Sequence, residues 1–549
     1  MRPLVLLLIT VLGLHGQVPP LTEVQERRLA NGIRVLWVER RGLRAFHGAL
    51  VFRGGRAQEP QALAGATDLL ARALYGTTWP EDLGHTASTL DPLLKREEGL
   101  LESLRLAKLH PAPDANAQIS ALEAALQLLQ AQLREHLSQG PLRDVYQGLG
   151  GRLSAEVSED ALTVQEELPT TAFELWCRTE TQRLTSLRLS RFYPVKGELL
   201  AQVRGHHSDP LGLVRGAALP GHPYGRQLRD HLPSLEALRR SDVQTYARRT
   251  LIPERMALVL VSGQSLDTGL PLLERTFGAL PMPMEPEESL PPEMASDLGD
   301  RRIQASLGDL SCLLSAWRVP PRQHPDHLAL RVVAQILGDG PSGRLQVRLV
   351  GGKAIARSAT LEMDVPGAQQ AGLLVAQLIP ASGHTLEELD GALHSEVLRL
   401  QQEPIPQEEW QRALAQLEMA YLRTLDEPAV LAGALGRAWV ECGDWRQLGL
   451  EMQRLRSLTP EIIQAAARTW LSRNHRTTAL LQPSLTESDN PLEQRTIRIL
   501  GALAALRIED PAQRELLLHE GLRQLRMLSP QERLRTLDLL EAQLPKANQ

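Results

Sequence analysis

The stretch that most limits what this chain can become is QERRLANGIRVLWVERR, residues 25–41. Asn31-Gly32 lies between two strand-like runs, and this dipeptide readily supplies the positive backbone angles of a tight turn. The run AFHGALVFRGG follows, alternating like a strand and stopping at Gly54-Gly55. From Gln61 to Tyr75 the apolar residues fall at helical spacing. A hairpin, a further strand and a helix in that order exclude an all-helical or all-strand chain. They predict an α+β fold.

The same plan returns later. CLLSAWRVP followed by HPDHLALRVVAQILGDG, residues 312–340, repeats the strand-then-helix order of residues 48–76, which points to an internal duplication. Between the two lies a different kind of sequence. Ile119, Leu122, Leu126, Leu129, Leu133 and Leu137 recur at steps of three and four. A similar stretch runs from Leu93 to Leu109, and the prolines of HPAPDA break the helix between them. Residues 90–138 are therefore expected to form a helical hairpin inserted into the first unit, with packing as its favoured role and gating or partner contact as the alternative. PMPMEPEESLPPEMASDLGD is rich in proline and acids and reads as a linker over 281–301. The expected division is a first domain over 22–280, a second over 302–484, and an amphipathic helical tail over 490–549.

Charge and composition narrow the function. The formal net charge of −5 argues against nucleic acid as the main partner, because phosphate binding needs a basic surface. Aromatics make up 3%, so the cores must rest on Leu, Val and Ala. MRPLVLLLITVLGLHGQ has one Arg ahead of an apolar run and then small and polar residues, the layout of a secretory signal peptide over 1–16. The chain is thus expected to be exported, to the periplasm or the extracellular space, and no later segment is apolar enough to cross a bilayer. Cys177, Cys312 and Cys442 are too few and too odd in number for a disulfide framework, and buried free thiols are expected.

Four segments, in order, resemble the pitrilysin/insulinase-type zinc peptidases over roughly residues 22–484. LANGIRVLWVE is similar to the opening hairpin of that family. FRGGRAQEPQALAGATDLLARALYGTT is similar to its motif helix with flanks, GHPYG at 221–225 to a recurrent turn, and ILGDGPSGRLQVRLV at 336–350 to the glycine-rich segment of the C-terminal half. The resemblance implies two homologous α/β sandwich domains forming half of a clamshell. Active members carry His-x-x-Glu-His on one helical face, where two imidazoles reach one zinc and the Glu polarises its water. A Glu from a later helix completes the ligand set.

Here the aligned positions are Asp68, Ala71 and Arg72, and the third ligand falls near Val203. Asp68 alone has a metal-binding side chain. Ala71 has no basic group, and Arg72 puts a permanent cation where a neutral ligand is needed. Slipping the alignment to Gln202 or Ala201 brings no carboxylate, and Glu198 lies about one helical turn away. The resemblance therefore implies an inactive homologue with no catalytic residues and no metal, resembling the zinc-less subunit of two-chain family peptidases.

In the C-terminal half the family grips the substrate backbone with an Arg and a Tyr. Arg348 matches the Arg, while the Tyr position falls near Ile355. Arg348 can equally serve as a surface salt-bridge partner. Gly338, Gly340 and Gly343 would let a peptide approach the backbone, or form an ordinary helix-ending turn. His206, His207 and Asp209 are a weaker metal candidate, and His222 of GHPYG is expected to cap or pack. The implied partners are peptide substrate and a homologous subunit that carries the zinc. A scaffold without any peptidase partner is the alternative.

Overall fold

The computed structural model describes residues 23–75, 87–109, 115–136, 142–205, 209–282, 299–307, 311–338, 340, 342–483, 491–507, 511–526, 528 and 530–541. The expected signal peptide, most of the linker, and His206 and His207 lie outside these residues. β1 (Val24–Arg28) and β2 (Arg34–Glu39) pair antiparallel, with Arg28 opposite Arg34. Gly32 takes φ +94°, which favours glycine. Asn31 is buried, and its side-chain amide donates to the carbonyls of Phe277 and Leu280 at 2.8 and 3.1 Å. The turn is therefore also a clasp on a segment about 250 residues away.

β3 (Ala45–Arg53), β4 (Arg152–Val157), β5 (Ala161–Pro169) and β6 (Met256–Ser262) complete the first sheet, in the order β1-β2-β6-β3-β5-β4. The second sheet has β7 (Arg301–Ser306), β8 (Cys312–Val319), β9 (Ala356–Val365), β10 (Gly372–Pro380) and β11 (Arg476–Gln482), in the order β7-β11-β8-β10-β9. If β1 is set aside, the two orders are the same. β2 and β6 run parallel, as do β7 and β11, and every other pairing is antiparallel. The duplication hinted at by the sequence is therefore explicit in topology and strand direction. It extends to the helices that follow the matching strands β3 and β8, namely α1 (Ala66–Tyr75) and, later in the chain, His327–Gly338.

Each sheet is covered on both faces, which is why β6 reads MALVLVS and is buried at every position. Val35, Trp37, Phe46, Leu50 and Phe52 pack on α1 and its neighbours, and each such large apolar side chain, fully buried, contributes roughly 1.5–3 kcal/mol. Leu36, Val38, Ala49, Val51 and Val259 on the other face share a core with Leu431, Leu435 and Trp439 of the helix Pro428–Cys442, from the second half. Conversely, Leu314, Ala316, Leu373 and Val375 of the second sheet pack on Val214 and Ala218 of Pro210–Ala218, from the first. The halves thus exchange cover. A Cβ at Gly436 would lie 2.6 Å from Val51 Cγ2, so glycine is required where this helix crosses the first sheet.

The inserted hairpin consists of α2 (Ala87–Leu109) and α3 (Ala115–His136), closed on Leu90, Leu94, Leu129 and Leu133. It is fixed to the body by a buried ion pair between Glu97 and Arg240 and by Arg188 on Asp91 at 2.7 Å. The tail forms three helices, Pro491–Arg507, Pro511–Arg526 and Pro530–Glu541, around Ile499, Leu503, Leu525 and Leu537. Among the described residues no helix is long and apolar enough to cross a membrane.

Candidate functional site

Both ends of α1 are pinned by charged groups. At its N-terminus the buried Glu59 carboxylate accepts from the amides of Gly65 and Thr67, at 2.8 and 2.6 Å. These amides belong to the helix start, which otherwise leaves donors unpaired. Burial pushes Glu59 up to about 7 against these hydrogen bonds. At the other end the buried Arg183 donates to the Leu74 carbonyl at 2.8 Å, with Glu166 and Glu180 around its guanidinium. Leu69, Leu70, Ala73 and Leu74 fill the core, so the helix is held in position and in rotation.

The outward side of α1 meets the helix Phe192–Gly205 across a cleft of about 410 Å³. Asp68 lines it, held by Arg56 through two hydrogen bonds of 2.9 and 2.8 Å. The Asp68 side chain is 13% exposed. Arg56 also lies 3.9 Å from Glu159, and Arg215 lies 3.6 Å from the same carboxylate. Burial pushes Glu159 up to about 7, with both guanidiniums pulling it back. Arg56 itself is held above its usual range by Asp68 and Glu159, in spite of desolvation. Arg72 donates to Gln202 across the cleft, and Arg226 to the Glu59 carbonyl at 2.9 Å. Ala71 is buried in the core, and Val203 packs at the core margin while lining the cleft. Glu198, the nearest carboxylate on that helix, is exposed and lines no part of the cleft.

β4 is the outer strand of its sheet, with β5 its one strand partner among the described residues. The segment after it carries Glu159 into the cleft, fixed by Arg56 and Ala57 amides donating to the Ser158 and Glu159 carbonyls at 3.1 and 3.0 Å. An outer strand and a charged cleft therefore adjoin.

A family model described as the peptidase M16 inactive domain matches residues 237–417. An uncharacterised zinc protease of Mycobacterium leprae is 25% identical over 292 residues, spanning 52% of this chain and 64% of that protein, less than two thirds of its length. A protease from Helicobacter pylori superposes with a TM-score of 0.66 at 16% identity, over 84% of this chain and 99% of the other. The first half of the periplasmic protease PqqL from Escherichia coli superposes with a TM-score of 0.61 at 12% identity, over 92% of this chain and 98% of that half. Against whole PqqL the same share of this chain covers 50% of the protein. Residues 237–417 thus match the M16 peptidase inactive domain, and the fold of the chain is that of M16-type peptidase halves.

The positions that the resemblance aligns with the zinc ligands of active peptidases are Asp68, Arg72 and Val203. The residues present do not fit the metal. Asp68, the one carboxylate among them, has both oxygens engaged by Arg56. Arg72 adds a second cation, Val203 has no donor atom, and Ala71 offers no base. Among the described residues no group of three or more His, Cys, Asp or Glu is placed to hold a metal ion. Asp209, from the alternative His206-His207-Asp209 cluster, caps the helix Pro210–Ala218 by accepting from Gly212 N at 2.8 Å.

The M16 positions of the C-terminal half lie apart from this cleft. Arg348 is 3.2 Å from Glu396, a nearly fully buried carboxylate on the helix Leu386–Gln402, so the salt-bridge role is occupied. Gly338 ends its helix against β9, where a Cβ would fall 2.0 Å from Leu361 Cβ, so its small size serves packing. Gly340 takes φ +64° and Gly343 donates to its carbonyl at 3.3 Å, a turn after the helix. His222 caps a short turn through Nδ1, which accepts from Tyr224 N at 3.1 Å. Cys177, Cys312 and Cys442 are free, and burial pushes Cys312 and Cys442 up to about 11. Sequence reasoning missed Arg56, Glu59, Glu159, Arg215 and Arg226. Arg215 comes from the helix Pro210–Ala218 and the others from loops and short turns; Arg56 and Glu59 flank the motif segment in sequence, whereas Glu159, Arg215 and Arg226 reach it only through the fold.

Proposed function

We propose that this chain is a non-catalytic subunit of an exported zinc metallopeptidase complex, enclosing and positioning peptide for a homologous partner that carries the metal. The observation that carries the reading is the Arg56–Asp68 pair. The motif helix is retained, pinned at both ends, and its ligand position is committed to a guanidinium. On this reading the chain binds no cofactor and cleaves nothing alone, and zinc resides in the partner only. Its two halves, 22–280 and 302–484, supply half of a closed chamber, in keeping with its cover of half of PqqL. The outer edge of β4 offers backbone groups to an extended peptide, which can add as a further strand. Export follows from the signal-like residues 1–16, and the mature chain begins near Gln17.

The test is reconstitution. The chain is mixed with a homologous subunit bearing an intact His-x-x-Glu-His motif, and complex formation and cleavage of an unfolded peptide are measured. A heterodimer is expected. A homodimer that ignores such a subunit supports instead a scaffold or peptide-binding protein without a peptidase partner.

A further inference from the structure

The cleft beside α1 differs in charge from the chain around it. The whole chain has a net charge of −5, yet five guanidiniums, Arg56, Arg72, Arg215, Arg226 and Arg229, line this one cleft. Four carboxyls oppose them among the described residues. Two of these, Glu59 and Asp209, are turned to backbone amides at helix starts. Asp68 and Glu159 pair with Arg56, and Glu159 also with Arg215. Glu159 is held up by burial to about 7, so it carries less than a full charge at neutral pH.

Donor capacity is also in surplus. Arg215 Nε is buried with no hydrogen-bond partner, while its Nη2 donates to the Arg226 carbonyl at 2.9 Å. Arg72 donates to the neutral Gln202, and Arg226 to a carbonyl, so neither has its charge matched there. A guanidinium presents a rigid fork of donors that fits a carboxylate with two parallel hydrogen bonds. Where such a contact is partly buried, as at Arg215, salt screens it less than at the open surface.

We propose that the cleft receives a carboxylate of a bound peptide, so that this chain selects acidic peptides. The proposal rests on the peptide-holding reading above and names the class of peptide. An Asp or Glu side chain and a free C-terminus present the same group, and both are tested.

Binding to the full chain is measured by fluorescence anisotropy with unfolded peptides of one length: one with glutamates, one with glutamines in their place, each with a free or an amidated C-terminus. We expect the glutamate peptide, the free-carboxylate peptide, or both to bind at least about tenfold more tightly than the neutral, amidated one, the scale of one good charge-assisted contact. The preference should vanish in Arg72→Glu, and should be reduced in Arg229→Gln, an exposed substitution that spares the fold if the first does not. Equal binding of all four peptides would overturn the carboxylate proposal while leaving peptide holding intact. No binding of any peptide would overturn both.

Discussion

Replacing Arg56 with Met tests the charge arrangement at the motif helix. The substitution keeps an unbranched apolar stem but removes both hydrogen bonds to Asp68, of 2.9 and 2.8 Å, and the cation 3.9 Å from Glu159. Breaking a fully buried ion pair costs about 3–5 kcal/mol, and an exposed pair contributes about 0–1 kcal/mol. Here Asp68 is 13% exposed and Arg56 38%, so solvent screening discounts the buried figure. A loss of about 2 kcal/mol is expected, or a drop of about 4 °C in Tm for a cooperative unit of this size. Urea unfolding followed by tryptophan fluorescence suits the measurement, because Trp37 and Trp176 lie in the core beneath α1. Adding Asp68→Asn to Arg56→Met should recover most of the loss, giving a coupling of about 1–2 kcal/mol in the double-mutant cycle. A single variant within about 0.5 kcal/mol of the native chain, or strictly additive effects, would refute the pairing as the feature that holds Asp68.

Three further outcomes follow from the same geometry. The purified chain should carry far less than stoichiometric zinc by elemental analysis. Asp68→His alone should not change that, since Ala71, Arg72 and Val203 still offer no ligand or base; stoichiometric zinc in the native chain would contradict the account. Gly338→Ala should destabilise by about 2–4 kcal/mol in thermal or urea unfolding, because its Cβ would meet Leu361 Cβ at 2.0 Å; a neutral variant would mean that β9 shifts freely. Glu159 is raised from 4.5 to about 7 by burial, so the folded chain retains a proton that the unfolded chain has lost between these values, and this group's stabilising contribution falls as pH rises through that window. Glu159→Gln should therefore gain stability relative to the native chain between pH 5 and pH 8, by an amount of order 3 kcal/mol, and a difference that is flat or of opposite sign would reject the burial argument.

What the sequence made legible were features with a period or a special backbone demand. The Asn31-Gly32 turn and the leucine spacing of the inserted hairpin each announced an element that the structure contains. The duplicated strand-then-helix plan was visible at one place, whereas the matching strand order of the two sheets was not, since pairing between distant strands leaves no local mark. Only Leu129 and Leu133 of the α3 stripe are fully buried, because a two-helix insertion shields its seam on one side alone. The helix that covers the first sheet comes from residues 428–442, nearly 400 residues beyond β3, and no spacing rule reaches that far. At the site, the residue types at 68, 71, 72 and 203 could be read directly. Their partners could not, because Arg56 and Glu159 meet Asp68 only through the fold.

The role as a partner subunit is tested most directly by the rate at which a zinc-bearing homologous subunit cleaves an unfolded peptide, with and without this chain at matched concentration. The account predicts a heterodimer that turns peptide over faster than the zinc-bearing subunit alone, while this chain by itself shows no cleavage. An unchanged rate, with this chain remaining apart or pairing only with itself, would contradict it.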